Sequence, residues 1–293
     1  MTTFSYKAFH CLLDSLKRIG GIDVPDNTVV TEALQLFTSL QELKKAYYKK
    51  IEKQHPSFTA EQWRQHNEKG IFLLQFCLPV LDDNICKELV DEICNLLAAN
   101  QPAKKEQIEK IRDYLCKKSS DCFTEIMKHE HQVMDPPSSF SVEECSLMNI
   151  IVRQTLRPFL EKYTDSLPRE IGGEKWQRNY CPVCGEKANF SYLRQEDGKR
   201  VLICPFCGQE WLYRYLACSW CGNDDHKAIS YFEAVELPGY EVYLCERCHR
   251  YLKTFNTKKG IGHDDWVLED VKTINLDLIA QKKGYTGYSS QAH

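Results

Sequence analysis

Eight of the 15 cysteines in this 293-residue chain are gathered into four Cys-x-x-Cys pairs between Cys181 and Cys248. The pairs are Cys181-Pro-Val-Cys184-Gly185, Cys204-Pro-Phe-Cys207-Gly208, Cys218-Ser-Trp-Cys221-Gly222 and Cys245-Glu-Arg-Cys248-His249. A Cys-x-x-Cys turn lets two thiolates reach one ion, and a second turn completes a tetrahedral set of four sulfurs. Pro182 and Pro205 pre-set φ after the first cysteine of their turns. The glycine after the second cysteine accepts positive φ, so the chain can curl around sulfur and aim backbone N–H groups at it. His249 takes that place in the fourth turn, where a side chain in the left-handed region costs roughly 1–2 kcal/mol. A disulfide framework belongs to short exported chains, and a thioredoxin-like redox pair needs a βαβ context that is not visible. Two closed metal sites are the expected use of these residues.

The gaps between the pairs suggest which of them share an ion. Between Cys184 and Cys204, two apolar segments flank Asp197-Gly198. Between Cys221 and Cys245, two more flank Pro238-Gly239. Both are hairpin signals, and a hairpin brings its two flanking knuckles to one end. Cys181, Cys184, Cys204 and Cys207 are therefore expected around one ion, and Cys218, Cys221, Cys245 and Cys248 around the other. Interleaved pairing stays open, as does the choice of metal, because zinc and iron both accept four thiolates.

Residues before 170 read as helices. Ile85, Leu89, Ile93 and Leu96 recur at helical spacing, and Cys86, Val90 and Cys94 widen the stripe. Thr59-Ala-Glu-Gln62 and Ser141-Val-Glu-Glu144 fit the capping box. Pro158 is expected to kink the last long helix, and Leu167-Pro168 through Gly172-Gly173 to form a linker. His129-Glu-His131 lacks the one-turn spacing of paired helical ligands and reads as solvated surface. The seven other cysteines, Cys11, Cys77, Cys86, Cys94, Cys116, Cys122 and Cys145, read as small buried hydrophobes.

Charge argues against the commonest alternative use of paired ribbons. The formal net charge is −3. Residues 181–258 balance basic against acidic side chains, and each four-thiolate set around a divalent ion keeps about two negative charges. Phosphate binding relies on an excess of Lys and Arg on one face, so nucleic acid is not the expected partner. No apolar run approaches the ~20 residues of a membrane span. The first residues, with Asp14, Lys17 and Arg18, do not read as an export signal. Nor is there a Ser-His-Asp order, an open metal position or a glycine-rich phosphate loop, so no catalytic residues are expected.

The order Trp176…Tyr180-Cys181-Pro-Val-Cys184-Gly185, Cys204-x-x-Cys207-x-x-Glu210-Trp211-x-x-Arg214-x-x-x-Cys218-x-x-Cys221, Cys245-x-x-Cys248-x-x-Tyr251-Leu252-Lys253 and Leu276-Asp277-Leu278-x-Ala280-x-x-x-Gly284-Tyr285 resembles the formate dehydrogenase accessory protein FdhE family. The resemblance covers residues 176–285, with Gly70-x-x-Leu73-Leu74 a further local likeness and His249 a departure from the family's usual glycine. It implies a cytoplasmic, non-catalytic assembly factor that engages the catalytic subunit of formate dehydrogenase. It also implies rubredoxin-like folds that bind iron, with zinc the alternative, and a redox-linked check on the client as one mode of action. Readings of another class are a rubredoxin-like electron carrier and a zinc-ribbon nucleic-acid binder.

The expected fold is α+β: an N-terminal all-α helical bundle followed by two small rubredoxin or zinc-ribbon-like β modules. The bundle is placed at residues 1–172, the first four-cysteine module at 176–216, the second at 217–258, and a C-terminal helix and tail at 259–293.

Overall fold

The structure, a computed structural model, describes residues 27–118, 123–124, 127, 139–233, 237–260 and 265–287. His129, His131, Cys11 and Cys122 lie outside the described residues.

The architecture is α+β, and the chain divides into two compact units. Of the described residues, one holds those from 27 to 56 and from 78 to 166; the other holds those from 57 to 77 and from 167 to 287. The first unit is helical: α1 (Asn27–Lys50), α3 (Asp83–Asn100), α4 (Lys105–Cys116) and α5 (Val142–Thr164). The Asp82 carboxylate accepts from the amides of Asn84 and Ile85 and so starts α3. Its buried stripe is Cys86, Leu89, Val90, Ile93, Cys94 and Leu97. Ile85 and Leu96 are only half-buried, so the packed face is turned slightly from the one their spacing suggested. Ser141 and Glu144 form the expected capping box at the head of α5, which runs through Pro158 as one helix. It contacts α1, α3 and α4 and is the central helix of this unit. No helix among the described residues is long and apolar enough to cross a membrane.

The second unit is built on a six-stranded sheet of order β3-β2-β1-β6-β5-β4. The strands are β1 (Phe190–Leu193), β2 (Arg200–Ile203), β3 (Glu210–Tyr213), β4 (Ile229–Glu233), β5 (Tyr240–Cys245) and β6 (Arg250–Asn256). Both expected hairpins are present, and their turns use Gly198 at φ 70° and Gly239 at φ 92°. The hairpin reading missed β3 and β6, which follow the second knuckle of each ribbon. The consequence is larger than two strands. Parallel pairing of β1 with β6 joins the ribbons into one sheet, in a register that sets Ser191 opposite Thr254. Their hydroxyls share a 2.8 Å hydrogen bond. Residues 176–216 and 217–258 thus contribute three strands each to one sheet.

Two further segments belong to this unit. Residues 57–77, expected in the bundle, contribute the short helix α2 (Ala60–Arg64), started by the Thr59–Gln62 capping box. Beyond it, the amides of Leu73 and Leu74 donate to the carbonyls of Pro182 and Val183 at 3.0 and 2.9 Å. The His66 ring stacks on Trp176 at 4.5 Å. The C-terminal segment forms two helices, α6 (Trp266–Lys272) and α7 (Ile274–Lys282), where one was expected. Leu276, Ala280 and Tyr285 enter the sheet's apolar core beside Phe190, Val242, Leu244 and Phe255.

Beneath these helices lies a buried charge cluster. Lys253 Nζ on β6 sits 2.6 Å from Asp270 Oδ1 and 2.8 Å from Asp277 Oδ2. Tyr251 donates to Asp277 at 2.8 Å. Burial alone would lower the Lys253 pKa, but the two carboxylates outweigh it and hold the ammonium charged.

Candidate metal centres

Each Cys-x-x-Cys turn has the same backbone. The residue after its second cysteine donates its amide to the carbonyl of the first: Gly185 to Cys181, Gly208 to Cys204, Gly222 to Cys218 and His249 to Cys245, at 2.9–3.2 Å. Gly185, Gly208 and Gly222 have φ of 80°, 74° and 73°. His249 adopts the same region at φ 52°, alone among the described non-glycine residues. The C-terminal tail holds it there. The His249 carbonyl accepts the Thr286 amide at 2.8 Å, and the Tyr285 hydroxyl donates to Glu246 in the same knuckle at 2.6 Å. The Gly284-Tyr285 tail and the fourth knuckle therefore form one local structure.

The eight thiols gather into two consecutive sets. Cys181, Cys184, Cys204 and Cys207 have all their sulfurs within 4.8 Å of one another, as do Cys218, Cys221, Cys245 and Cys248. Sγ···Sγ separations include 3.5 Å (Cys181–Cys207), 3.4 Å (Cys184–Cys204), 3.6 Å (Cys218–Cys248) and 3.8 Å (Cys221–Cys245). Metal–sulfur bonds of about 2.3 Å place the sulfurs of a regular tetrahedron about 3.8 Å apart. The donor sets fit a four-thiolate ion, and the two groups could each hold one.

The electrostatics agree with this fit. Burial pushes the Cys181, Cys184 and Cys207 thiols up. Burial opposes ionisation of Cys204 as well, but the other three thiols and the Cys207 amide hold it well below the usual thiol range. In the second set the Cys248 sulfur, aided by the amides of Cys221 and Trp220, brings Cys218 down to about 5. A divalent ion supplies the charge that lets all four ionise.

The remaining described cysteines take no part in these sets. Cys86 and Cys94 lie in the buried stripe of α3, where burial pushes the Cys94 thiol up to about 12. Of the unit's aromatic residues, Trp211, Tyr213 and Trp220 are buried against the ribbons, while Tyr215 and Tyr231 are exposed. Many of the unit's cations are already engaged. Arg194 pairs with Asp197, Lys199 with Glu174 and Arg214 with Asp224, while Lys253 is buried with its two carboxylates.

Sequence reasoning missed the role of residues 70–74 in the first site. Phe72 covers the first turn so closely that a Cβ on Gly185 would come 2.6 Å from its ring. Gly185→Ala, strained by both φ and this contact, is expected to cost about 2–4 kcal/mol. Urea unfolding of the metal-loaded protein measures it. The Gly70-x-x-Leu73-Leu74 likeness was the available signal, since these residues make the local contacts to the first knuckle.

Comparison with known proteins follows the same residues. A family model described as "FdhE, central domain" matches residues 180–214. A "Protein FdhE homolog" from Aquifex aeolicus is 37% identical over 134 residues, covering 44% of this chain and 46% of that protein. One from Haemophilus ducreyi is 29% identical over 139 residues, covering 47% and 45%. The chain thus spans just under half the length of these curated relatives. The crystal structure of the FdhE protein from Pseudomonas aeruginosa matches 98% of this chain and 94% of its own with a TM-score of 0.57. At 19% identity that likeness concerns the fold. With four knuckles in family order, the central-domain match and relatives of that name, the cysteine-bearing part of the chain is similar to the FdhE family.

Proposed function

We propose that this chain is a non-catalytic accessory protein of formate dehydrogenase that acts in the cytoplasm by binding the enzyme's catalytic subunit. Each four-cysteine set carries one ion, iron being favoured by the family resemblance and zinc being the alternative. The observation that carries the reading is the gathering of eight thiols into two complete four-sulfur sets. A set that fills all four positions of an ion leaves none for a substrate, so it stabilises structure or holds an electron and does not act as a Lewis acid. Binding is then the activity left to the protein, and Tyr215 and Tyr231 are candidate anchors. Both are exposed and both pack on Tyr243, at ring separations of 5.8 and 5.5 Å.

Isothermal titration against the apo catalytic subunit, under reducing and oxidising conditions, tests this reading. Saturable binding in at least one condition is expected. No heat in either would defeat the accessory role. Equal affinity in both would reduce the ions to structural staples.

A further inference from the structure

The two sulfur sets differ in what surrounds them. Cys181, Cys184, Cys204 and Cys207 are all buried. Phe72 lies over the Gly185 turn, and the amides of Leu73 and Leu74 bind the two carbonyls between Cys181 and Cys184. In the second set Cys218 and Cys245 are buried, Cys248 is half-buried and Cys221 is exposed.

Two cations stand beside the open set. Lys187 Nζ donates to the Trp220 carbonyl, inside the third turn, at 3.3 Å. The Arg250 guanidinium sits 4.4 Å from the centre of the Trp220 ring. These cations border the set without covering Cys221, which stays open to water.

We propose that the two sets divide their labour: the first is a closed staple, and the second is the reactive centre, reached by an outside metal chelator or thiol reagent through Cys221. The inference rests on both sets holding metal. Ligand exchange and thiol chemistry need an incoming group to touch sulfur or ion, so reactivity follows exposure. The first set offers no such approach unless its cover opens.

The full zinc-loaded chain tests this under native conditions, with the chromophoric chelator 4-(2-pyridylazo)resorcinol and, separately, with iodoacetamide. Chelation is expected in two phases of one zinc equivalent each, with rates at least tenfold apart. Mass spectrometry is expected to find Cys221 alkylated before Cys181, Cys184, Cys204 or Cys207. A Cys221→Ser variant should lose the fast phase and keep the slow equivalent. The kinetics of the unaltered chain decide the question whether or not that variant folds. A single phase releasing two equivalents, or earlier alkylation in the first set, overturns the proposal. A chain that binds no zinc or iron overturns the metal reading beneath it, a different and distinguishable failure.

Discussion

Cys181→Ser combined with Cys184→Ser is expected to remove one of two metal ions per chain and to unfold the β1–β3 ribbon. Its three strands have four residues each and meet the rest of the sheet only through the β1–β6 pairing, so the ion is what holds the ribbon folded. Structural zinc contributes roughly 10–16 kcal/mol to the folding of such peptides, far more than the sheet hydrogen bonds of one ribbon. The damage should spread to residues 70–74, whose amides bind the carbonyls of Pro182 and Val183 within the lost turn. Native mass spectrometry counts the ions, and tryptophan fluorescence follows the fold. All five tryptophans, Trp63, Trp176, Trp211, Trp220 and Trp266, belong to the sheet-containing unit, so the signal reports on it without the helical unit. Two ions retained in this variant would show that the pair is not ligating.

Asp277→Ala should be the most damaging single change outside the cysteines. It leaves Lys253, which is 2% exposed, with one carboxylate where it had two. It also strips the buried Tyr251 hydroxyl of its acceptor. Breaking a buried ion pair from one side costs about 3–5 kcal/mol, and the same change loosens α7 from the sheet. Asp277→Asn keeps the shape and an oxygen for Tyr251, so its cost should be smaller. Urea titrations of metal-loaded protein, followed by tryptophan fluorescence, compare the two. Equal midpoints for Asp277→Ala and the unaltered chain would mean that the cluster contributes nothing to stability.

The sequence carried the local chemistry well. The consecutive sorting of the knuckles followed from Asp197-Gly198 and Pro238-Gly239, because a hairpin turn is a short-range signal. The positive φ of His249 followed from its place after a second cysteine. The capping boxes at Thr59 and Ser141 are equally local, and both formed. Long-range pairing left weaker traces. Nothing in Phe190-Ser-Tyr-Leu193 announces that it will lie parallel to β6, since its alternation would serve an antiparallel partner equally well. The transfer of residues 57–77 out of the helical unit was hidden for a similar reason: a capped turn of helix reads the same in either unit, and only the Leu73 and Leu74 amides reveal its partner. Lys253 illustrates the limit for charge. Read along the chain it counts as one more basic residue, but folding buries it between carboxylates that lie 17 and 24 positions downstream.

X-ray absorption at the metal edge, together with metal analysis of the full chain purified without oxygen, tests the central claim most directly. The account predicts two ions per chain, each in a shell of four sulfurs at about 2.3 Å. A single ion per chain, or a shell containing nitrogen or oxygen, would contradict it.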